Sequence, residues 1–250
     1  MATKSFLSDQ TKELILGSIL GDGSLCVHKP YRNARFSFRH SVHQEEYFFW
    51  KMSQLKEISS EKCWWRQGKN GLGDAMLRYQ SLALPRLSEL YGMTHERGKL
   101  TIRRKWLNTL TPLSLAVWWL DDGSIIANGR KGVFCTESFS YKEQKILARY
   151  LLTVWGVKVS IGKIVRLRSE VARTYYRLWF RSTQELKKFL LIILPFIKVP
   201  SVLPKVMLLY RDSKLQQRWI SDVSRLTGFS ESVIHRAVRE KKAKWKAFRK

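Results

Sequence analysis

The chain has 250 residues, enough for one large domain or two small ones with a real core. Its 46 Lys and Arg outnumber 20 Asp and Glu, and the net charge of +26 calls for a polyanionic partner. A hydrophobic content of 44%, with 12 Phe, 10 Trp and 9 Tyr, excludes a disordered basic tail protein.

In chain order, Ser8 is placed to cap a helix over Thr11 to Leu20. The stretch Leu14 to Leu25 reads LILGSILGDGSL, an apolar helical run that ends in Asp-Gly-Ser. Gly17 and Gly21 put small residues on one face, which lets a second helix backbone come close. Arg32 to Arg39 alternates, with Arg35, Ser37 and Arg39 on one face and Phe36 and Phe38 on the other, so it is read as a strand with an aromatic core face and a basic outer face. His40 and His43 follow at a strand-to-helix turn, and are read as two surface histidines rather than a metal pair. A helix from Gln44 to Ile58 follows, with Tyr47, Phe48, Met52 and Leu55 as its apolar stripe. Cys63 to Arg66 and Met76 to Gln80 read as strands around a Gly-rich turn at Gly68 to Gly73, with Arg78 and Gln80 sharing a face. Leu82 to Tyr91 is predicted helical, with Pro85 in its first turn. Gly98-Lys99-Leu100 then leads to a basic connector, Arg103 to Lys105.

The order then repeats. Leu113 to Ile125 reads LSLAVWWLDDGSI, a second apolar helix ending in Asp-Gly-Ser, with Pro112 at its start. Strands are predicted at Val133 to Thr136, Val157 to Arg168 and Thr174 to Arg181, and helices at Lys142 to Val154 and Gln184 to Leu194. On the last strand Tyr175, Arg177, Trp179 and Arg181 oppose Tyr176, Leu178 and Phe180. Lys205, in PSVLPKV, takes the place that Lys99 has in the first half. A repeat near one hundred residues is a domain duplication, since solenoid periods are roughly 20–50. Two apolar helices that each deliver a carboxylate at the same end bring Asp22 and Asp122 together if the helices pack side by side, and such a pair calls for cations.

Cys26, Cys63 and Cys135 show no zinc spacing and no disulfide framework, which points to a reducing compartment. The longest apolar run, Phe189 to Ile197, is broken by Pro195 and is far short of the ~20 residues of a membrane span. The stretch MATKSFLSDQTKE has no apolar signal core.

Residues Ile15 to Gly23 (ILGSILGDG) and Leu115 to Gly123 (LAVWWLDDG) resemble the signature helices of the LAGLIDADG homing endonucleases, in their single-chain, double-motif form. The resemblance covers roughly residues 8 to 210. It implies an α+β fold of two pseudo-symmetric αββαββα halves, whose antiparallel sheets form a DNA-binding saddle, with a small helical C-terminal extension. The expected division is a first half over 1–100, a second over 101–212, and a basic tail over 213–250. The activity implied is a staggered double-strand cut in a long DNA target. The alternative is an RNA-binding maturase that assists group I intron splicing. By the resemblance Asp22 and Asp122 are metal ligands, helped by the carbonyls of Gly21 and Asp121. The metal is Mg2+, with Mn2+ as a substitute and Ca2+ supporting binding without cleavage. Lys99 and Lys205 correspond to basic residues near the attacking water, and a lysine there stabilises phosphorane charge. His40 and Glu137 are matched as polar residues that organise water. Double-stranded DNA is the expected partner, with host intron RNA the further one. The protein is expected to be a monomer, away from membranes, in an organelle or a bacterial cytoplasm.

The motifs depart from the family in places. Ser18 stands where an apolar residue is usual, Val117 aligns with Gly17, and Asp121 aligns with Gly21. Asp121 is read as solvated at the helix end, and Trp118 and Trp119 as housed in the core of the second half. Arg35, Ser37, Arg39, Arg78, Gln80, Arg166, Arg168, Arg177 and Arg181 are the DNA-contact candidates, since arginine reads guanine in the major groove with two hydrogen bonds. From Ile220 the chain resembles the small helix-turn-helix module often appended to such enzymes. Residues 220–227 form a short helix, Gly228 the turn, and Ser232 to Glu240 a second helix that presents His235, Arg236 and Arg239. The last run, KKAKWKAFRK, is expected to be a flexible phosphate-binding tail.

Overall fold

The structure is a computed structural model that describes residues 6–68, 74–126, 129–168 and 171–247. The Gly-rich turn expected at Gly68 to Gly73 falls mostly outside the described residues, and so does the side chain of Arg168. The chain divides into two compact units, Met1–Asp121 and Asp122–Lys250.

The first unit opens with α1 (Asp9–Ile19), whose N-cap Ser8 accepts the Thr11 amide at 3.3 Å, as the sequence predicts. β1 (Gly23–Cys26) and β2 (Arg35–Ser41) follow, then α2 (Glu45–Ser53). The predicted helix to Ile58 instead stops at α2, and a 3-10 turn covers Lys56–Ile58. β3 (Trp64–Gln67) and β4 (Met76–Gln80) complete an antiparallel sheet in the order β1-β2-β4-β3. α3 (Pro85–Thr94) begins on Pro85, where the missing N–H costs nothing. The two-residue strands β5 (His95–Glu96) and β6 (Lys99–Leu100) form a tight hairpin, with Arg97 at φ 48° and Gly98 at φ 79°. After the short α4 (Arg104–Leu107) comes α5 (Pro112–Asp122), in which Leu113 to Asp121 are all buried.

The second unit continues with β7 (Gly123–Ile126), β8 (Lys131–Phe134), α6 (Tyr141–Trp155), β9 (Ser160–Arg168), β10 (Val171–Phe180) and α7 (Thr183–Ile193). Its sheet order, β7-β8-β10-β9, repeats that of the first. α6 is closed at both ends. Ser140 and Glu143 form a reciprocal capping box, and Gly156 takes the left-handed conformation at φ 65°. A 3-10 turn at Pro200–Lys205 precedes α8 (Ser213–Thr227) and α9 (Glu231–Ala247).

Alternation sets both sheets. Phe36, Phe38 and Tyr79 are buried on the inner face, and Phe38 stacks on Tyr79 and tilts onto Phe48 of α2. Phe134, Phe180 and Phe189 make the matching cluster in the second unit. β1 and β7 are the strands that the αββαββα order requires after each motif helix, although four residues such as GSLC and GSII carry too little alternation to mark a strand by themselves.

The C-terminal helices correct two expectations. The first runs over fifteen residues from the Asp212 cap rather than from residue 220. The second continues through Ala247, and Lys241 within it is buried, so the first part of the expected flexible tail is helical and its first lysine faces the core, while residues 248–250 lie outside the described residues. Both helices pack on the second unit, and Trp219, Ile220 and Val223 of α8 and Ile234, Ala237 and Val238 of α9 are buried. Among the described residues, no helix is long and apolar enough to cross a membrane.

Candidate functional site

α1 and α5 lie side by side. A Cβ added to Gly17 would sit 2.3 Å from the Ser114 carbonyl oxygen, and one added to Gly21 would sit 2.6 Å from the Asp121 Cβ. Ser114 Oγ also donates to the Glu13 carbonyl at 2.8 Å. Glycine is therefore required at Gly17 for contact with the α5 backbone and at Gly21, just past α1, for contact with the Asp121 side chain, as their spacing predicts. Asp22 follows α1, and Asp122 ends α5.

Asp22 has a 39% exposed side chain, and with Ser24, Ser37, Arg39, Arg78, Gln80 and Trp65 it lines one groove on the outer face of the first sheet. Strand register explains the grouping. Trp65 pairs with Arg78 and Arg78 with Arg39, while Ser24 pairs with Ser37 and Ser37 with Gln80. Arg35 lies on the same face, stacked on Tyr31 with its guanidinium carbon 3.6 Å from the ring centroid and donating to Gln80 at 3.2 Å. Trp65 is 45% exposed and escaped the sequence reading, because CWWR shows no alternation from which to choose between its two tryptophans. Trp64 instead packs edge-on against Phe49.

Behind Asp22 is a buried polar cluster. Asp121 is not solvated. It is 7% exposed, and its carboxylate accepts from Lys51 Nζ at 2.7 and 3.0 Å and from the Tyr47 hydroxyl at 2.9 Å. The side chains of Lys51 and Asp121 are both 0% exposed. Burial, with the Asp121 charge second, raises the Tyr47 hydroxyl well above its ordinary value and keeps it a neutral donor. His40 is not a surface histidine. It lies on the Phe36 and Phe38 face, with Nδ1 3.5 Å from Asp22 and Nε2 3.7 Å from Asp121. Asp22, His40 and Asp121 thus offer ligand atoms within 4.8 Å of one another. The set fits a hard divalent cation only at Asp22, which is open to solvent, because the oxygens of Asp121 already neutralise Lys51. Lys51 falls on the apolar stripe, four residues after Tyr47. A lysine on that stripe was the available sign of a buried ion pair.

In the second unit the pairing of Gly123 with Phe134 matches that of Gly23 with Phe38. Counting two residues on, His40 corresponds to Thr136, not to Glu137. Thr136 is buried and donates to Gln144 Oε1 at 2.9 Å. Glu137 sits on the outer face, where it accepts from Arg166 at 2.7 Å and from Arg177 Nε at 2.7 Å. That carboxylate raises the Arg177 guanidinium pKa still further. Cys135 takes the position of Arg39, and its amide donates to the Asp122 carbonyl at 3.0 Å. Burial raises its thiol, Arg177 and Lys205 oppose the rise, and Glu137 and Asp122 add to it, so these groups share one electrostatic neighbourhood.

Lys205 is half-buried on the Pro200–Lys205 turn, and Lys99 is exposed on the β5–β6 hairpin beside Glu96, Arg97 and Thr101. Arg181 is exposed one residue beyond β10. Arg173 pairs with Arg166 on the outer face and was missed because the strand was predicted to begin at Thr174. His235, Arg236 and Arg239 lie along α9, His235 half-buried and the two arginines exposed, away from its buried Ile234, Ala237 and Val238.

Residues 12–189 match the model of the LAGLIDADG DNA endonuclease family. Among curated proteins, "Protein RecA" of Mycobacterium gastri is 34% identical over 214 residues, covering 79% of this chain and 47% of that protein. The chain thus spans about half the length of such relatives. "Cytochrome b mRNA maturase bI2" of Saccharomyces cerevisiae is 29% identical over 161 residues, 60% of this chain and 38% of its own. "DNA endonuclease I-ChuI" of Chlamydomonas applanata is 26% identical over 172 residues, 63% of this chain and 78% of its own. Among solved structures, the homing endonuclease I-WcaI bound to its DNA recognition sequence has a TM-score of 0.68 at 21% identity, covering 83% of this chain and 90% of that one.

Proposed function

The chain belongs to the LAGLIDADG DNA endonuclease family, and from that premise we propose that it is a site-specific homing endonuclease making a staggered double-strand cut in a long DNA target. The observation that carries this reading is a carboxylate retained at the end of each closely packed motif helix, Asp22 and Asp122. Asp22 heads a groove lined by Arg39 and Arg78, and the charge of Asp122 acts on Arg177. Each acid therefore lies beside cations suited to a phosphodiester.

Asp22 and Asp122 would hold divalent cations, Mg2+ or Mn2+, with the carbonyls of Gly21 and Asp121 as further oxygens. A cation bound there lowers the pKa of water and offsets charge on the leaving 3′ oxygen. The protein's own groups do the rest. Lys99 and Lys205 stabilise charge that builds on the phosphorane. His40, backed by Asp121 and Lys51, holds Asp22 from the buried side. The outer sheet faces bind DNA. Arg35, Arg39, Arg78 and Gln80 read base edges on the first, and Arg173 and Arg181 contact DNA on the second. Arg166 and Arg177 first have to exchange Glu137 for a phosphate or a base.

A second reading, an RNA-binding maturase, is favoured by the likeness to the yeast cytochrome b maturase. Retention of both acids favours the nuclease, because RNA binding needs neither.

The test is cleavage of a randomised duplex library with Mg2+, followed by sequencing of the cut ends. Discrete ends at one long site are expected. Asp22→Asn and Asp122→Asn are each expected to abolish double-strand cutting while leaving binding in Ca2+ intact. Either variant cutting both strands at the wild-type rate would overturn the assignment. No cutting by the wild type, with tight binding to a structured intron RNA, would move the reading to the maturase.

A further inference from the structure

The turn that carries Lys205 and the segment that follows it take four main-chain hydrogen bonds from side chains of the two C-terminal helices. Lys241 of α9 donates from Nζ to the Pro204 carbonyl at 2.5 Å and to the Met207 carbonyl at 2.8 Å. Gln216 of α8 donates from Nε2 to the Leu208 carbonyl at 3.1 Å and accepts the Tyr210 amide on Oε1 at 2.9 Å. Four main-chain groups between Pro204 and Tyr210 are therefore satisfied by two side chains, each only 7% exposed. The far side of the same segment is tied down by the Leu209 amide, which donates to the Gly129 carbonyl at 2.9 Å.

Neither side chain is what simple helix packing would select. Ile234, Ala237 and Val238 bury apolar atoms on the same face of α9 at no polar cost. A buried ammonium is expensive unless its hydrogens are received. Burial pushes the Lys241 amine down to about 7, and the two carbonyls partly offset the cost of holding it there. The lysine makes physical sense as a clamp on a segment that has no regular partner strand or helix for those carbonyls.

We propose that α8 and α9 are the scaffold of Lys205: Lys241 and Gln216 are positioning residues that hold the turn carrying this lysine beside β7, the strand that follows Asp122. Its catalytic meaning rests on the endonuclease reading above, whereas the clamp itself does not. The C-terminal helices then serve the second centre directly, besides any DNA contact made by Arg236 and Arg239.

The experiment uses the full chain with Lys241→Met, Gln216→Leu, Lys205→Met, and each of the first two combined with the third. Hydrogen–deuterium exchange without DNA is read first. Faster exchange confined to Val206–Tyr210 is expected in the Lys241 and Gln216 variants. Single-turnover cleavage in Mg2+ and binding in Ca2+ follow. Cleavage of one strand is expected to slow by about ten- to a hundredfold, the effect of a displaced catalytic group, so that nicked duplex accumulates while Kd stays within about twofold. Neither substitution should slow a Lys205→Met enzyme further, whereas loss of general stability would slow it again. Where Lys241→Met does not fold, Gln216→Leu carries the comparison. Unchanged exchange across the segment, wild-type cleavage, or a loss that persists in full without Lys205 overturns the proposal. Faster exchange in a protein whose wild type cuts no DNA supports the clamp and fails only the endonuclease reading.

Discussion

Lys51 and Asp121 meet at 2.7 Å with neither side chain exposed, at a helix position where Gly21 is the counterpart in the first motif. A pair like this adds little to stability as a pair, but breaking it strands a charge. Lys51→Met is expected to lower the unfolding free energy by about 3–5 kcal/mol in urea titration. Adding Asp121→Asn should recover most of that loss, since Tyr47 can still donate to the amide oxygen. A cost below about 1 kcal/mol for the single variant would show that Lys51 and Asp121 do not depend on each other in the core. The same residues make the two carboxylate neighbourhoods unlike. Asp22 is backed by His40, Asp121 and Lys51, whereas the buried polar pair of the second unit is Thr136 with Gln144. Arg39 shares the groove of one acid, and Cys135, whose amide donates to the Asp122 carbonyl, takes the corresponding position near the other.

At the scale of elements, the contact of α1 with α5 is decided by atoms that are not there. A methyl group on Gly17 would sit 2.3 Å from a main-chain oxygen of Ser114, and main chain on a buried helix has no rotamer by which to yield. Gly17→Ala is expected to cost about 1–3 kcal/mol, the usual penalty of overpacking, despite the better helix propensity of alanine. Thermal unfolding measures the loss. A rise in Tm would mean that the helices are not held at this distance. Because Asp22 directly follows α1, slower cleavage is expected from the same variant. Strand pairing is equally specific. One register runs from Trp65 through Arg78 to Arg39, so side chains scattered over Arg39 to Arg78 in the sequence form a single row.

At the scale of the whole molecule, the charge of +26 is expected to dominate the proposed association with DNA. Counterion release makes DNA affinity fall linearly on logarithmic axes with salt. A protein that neutralises about 6–10 phosphates is expected to lose roughly 10³–10⁵ in affinity between about 50 and 200 mM salt. Filter binding or fluorescence anisotropy in Ca2+ measures the slope, and a flat response would exclude a backbone-dominated interface. Deleting residues 213–250 is not a clean way to remove tail contacts from that slope. The cut would strip Trp219, Ile220 and Val223 from the core along with Gln216 and Lys241. Point changes at Arg236 and Arg239 leave that core in place.

The sequence alone determined the family, the duplicated order of helices and strands, the two acids and the basic outer faces. Each of these is written in local chemistry: an apolar period closed by Asp-Gly-Ser, or arginine alternating with phenylalanine along a strand. Tertiary structure decided what depends on distant residues meeting. It buried Asp121 by bringing Lys51 to it from seventy residues away. It turned His40 inward, matched it to Thr136 through strand register, and gave Glu137 to Arg166 and Arg177. It also made the C-terminal helices part of the second unit, by burying a lysine that composition had assigned to solvent. A side chain's solvation and partners are set by the walls around it, and those walls exist only once the chain has folded.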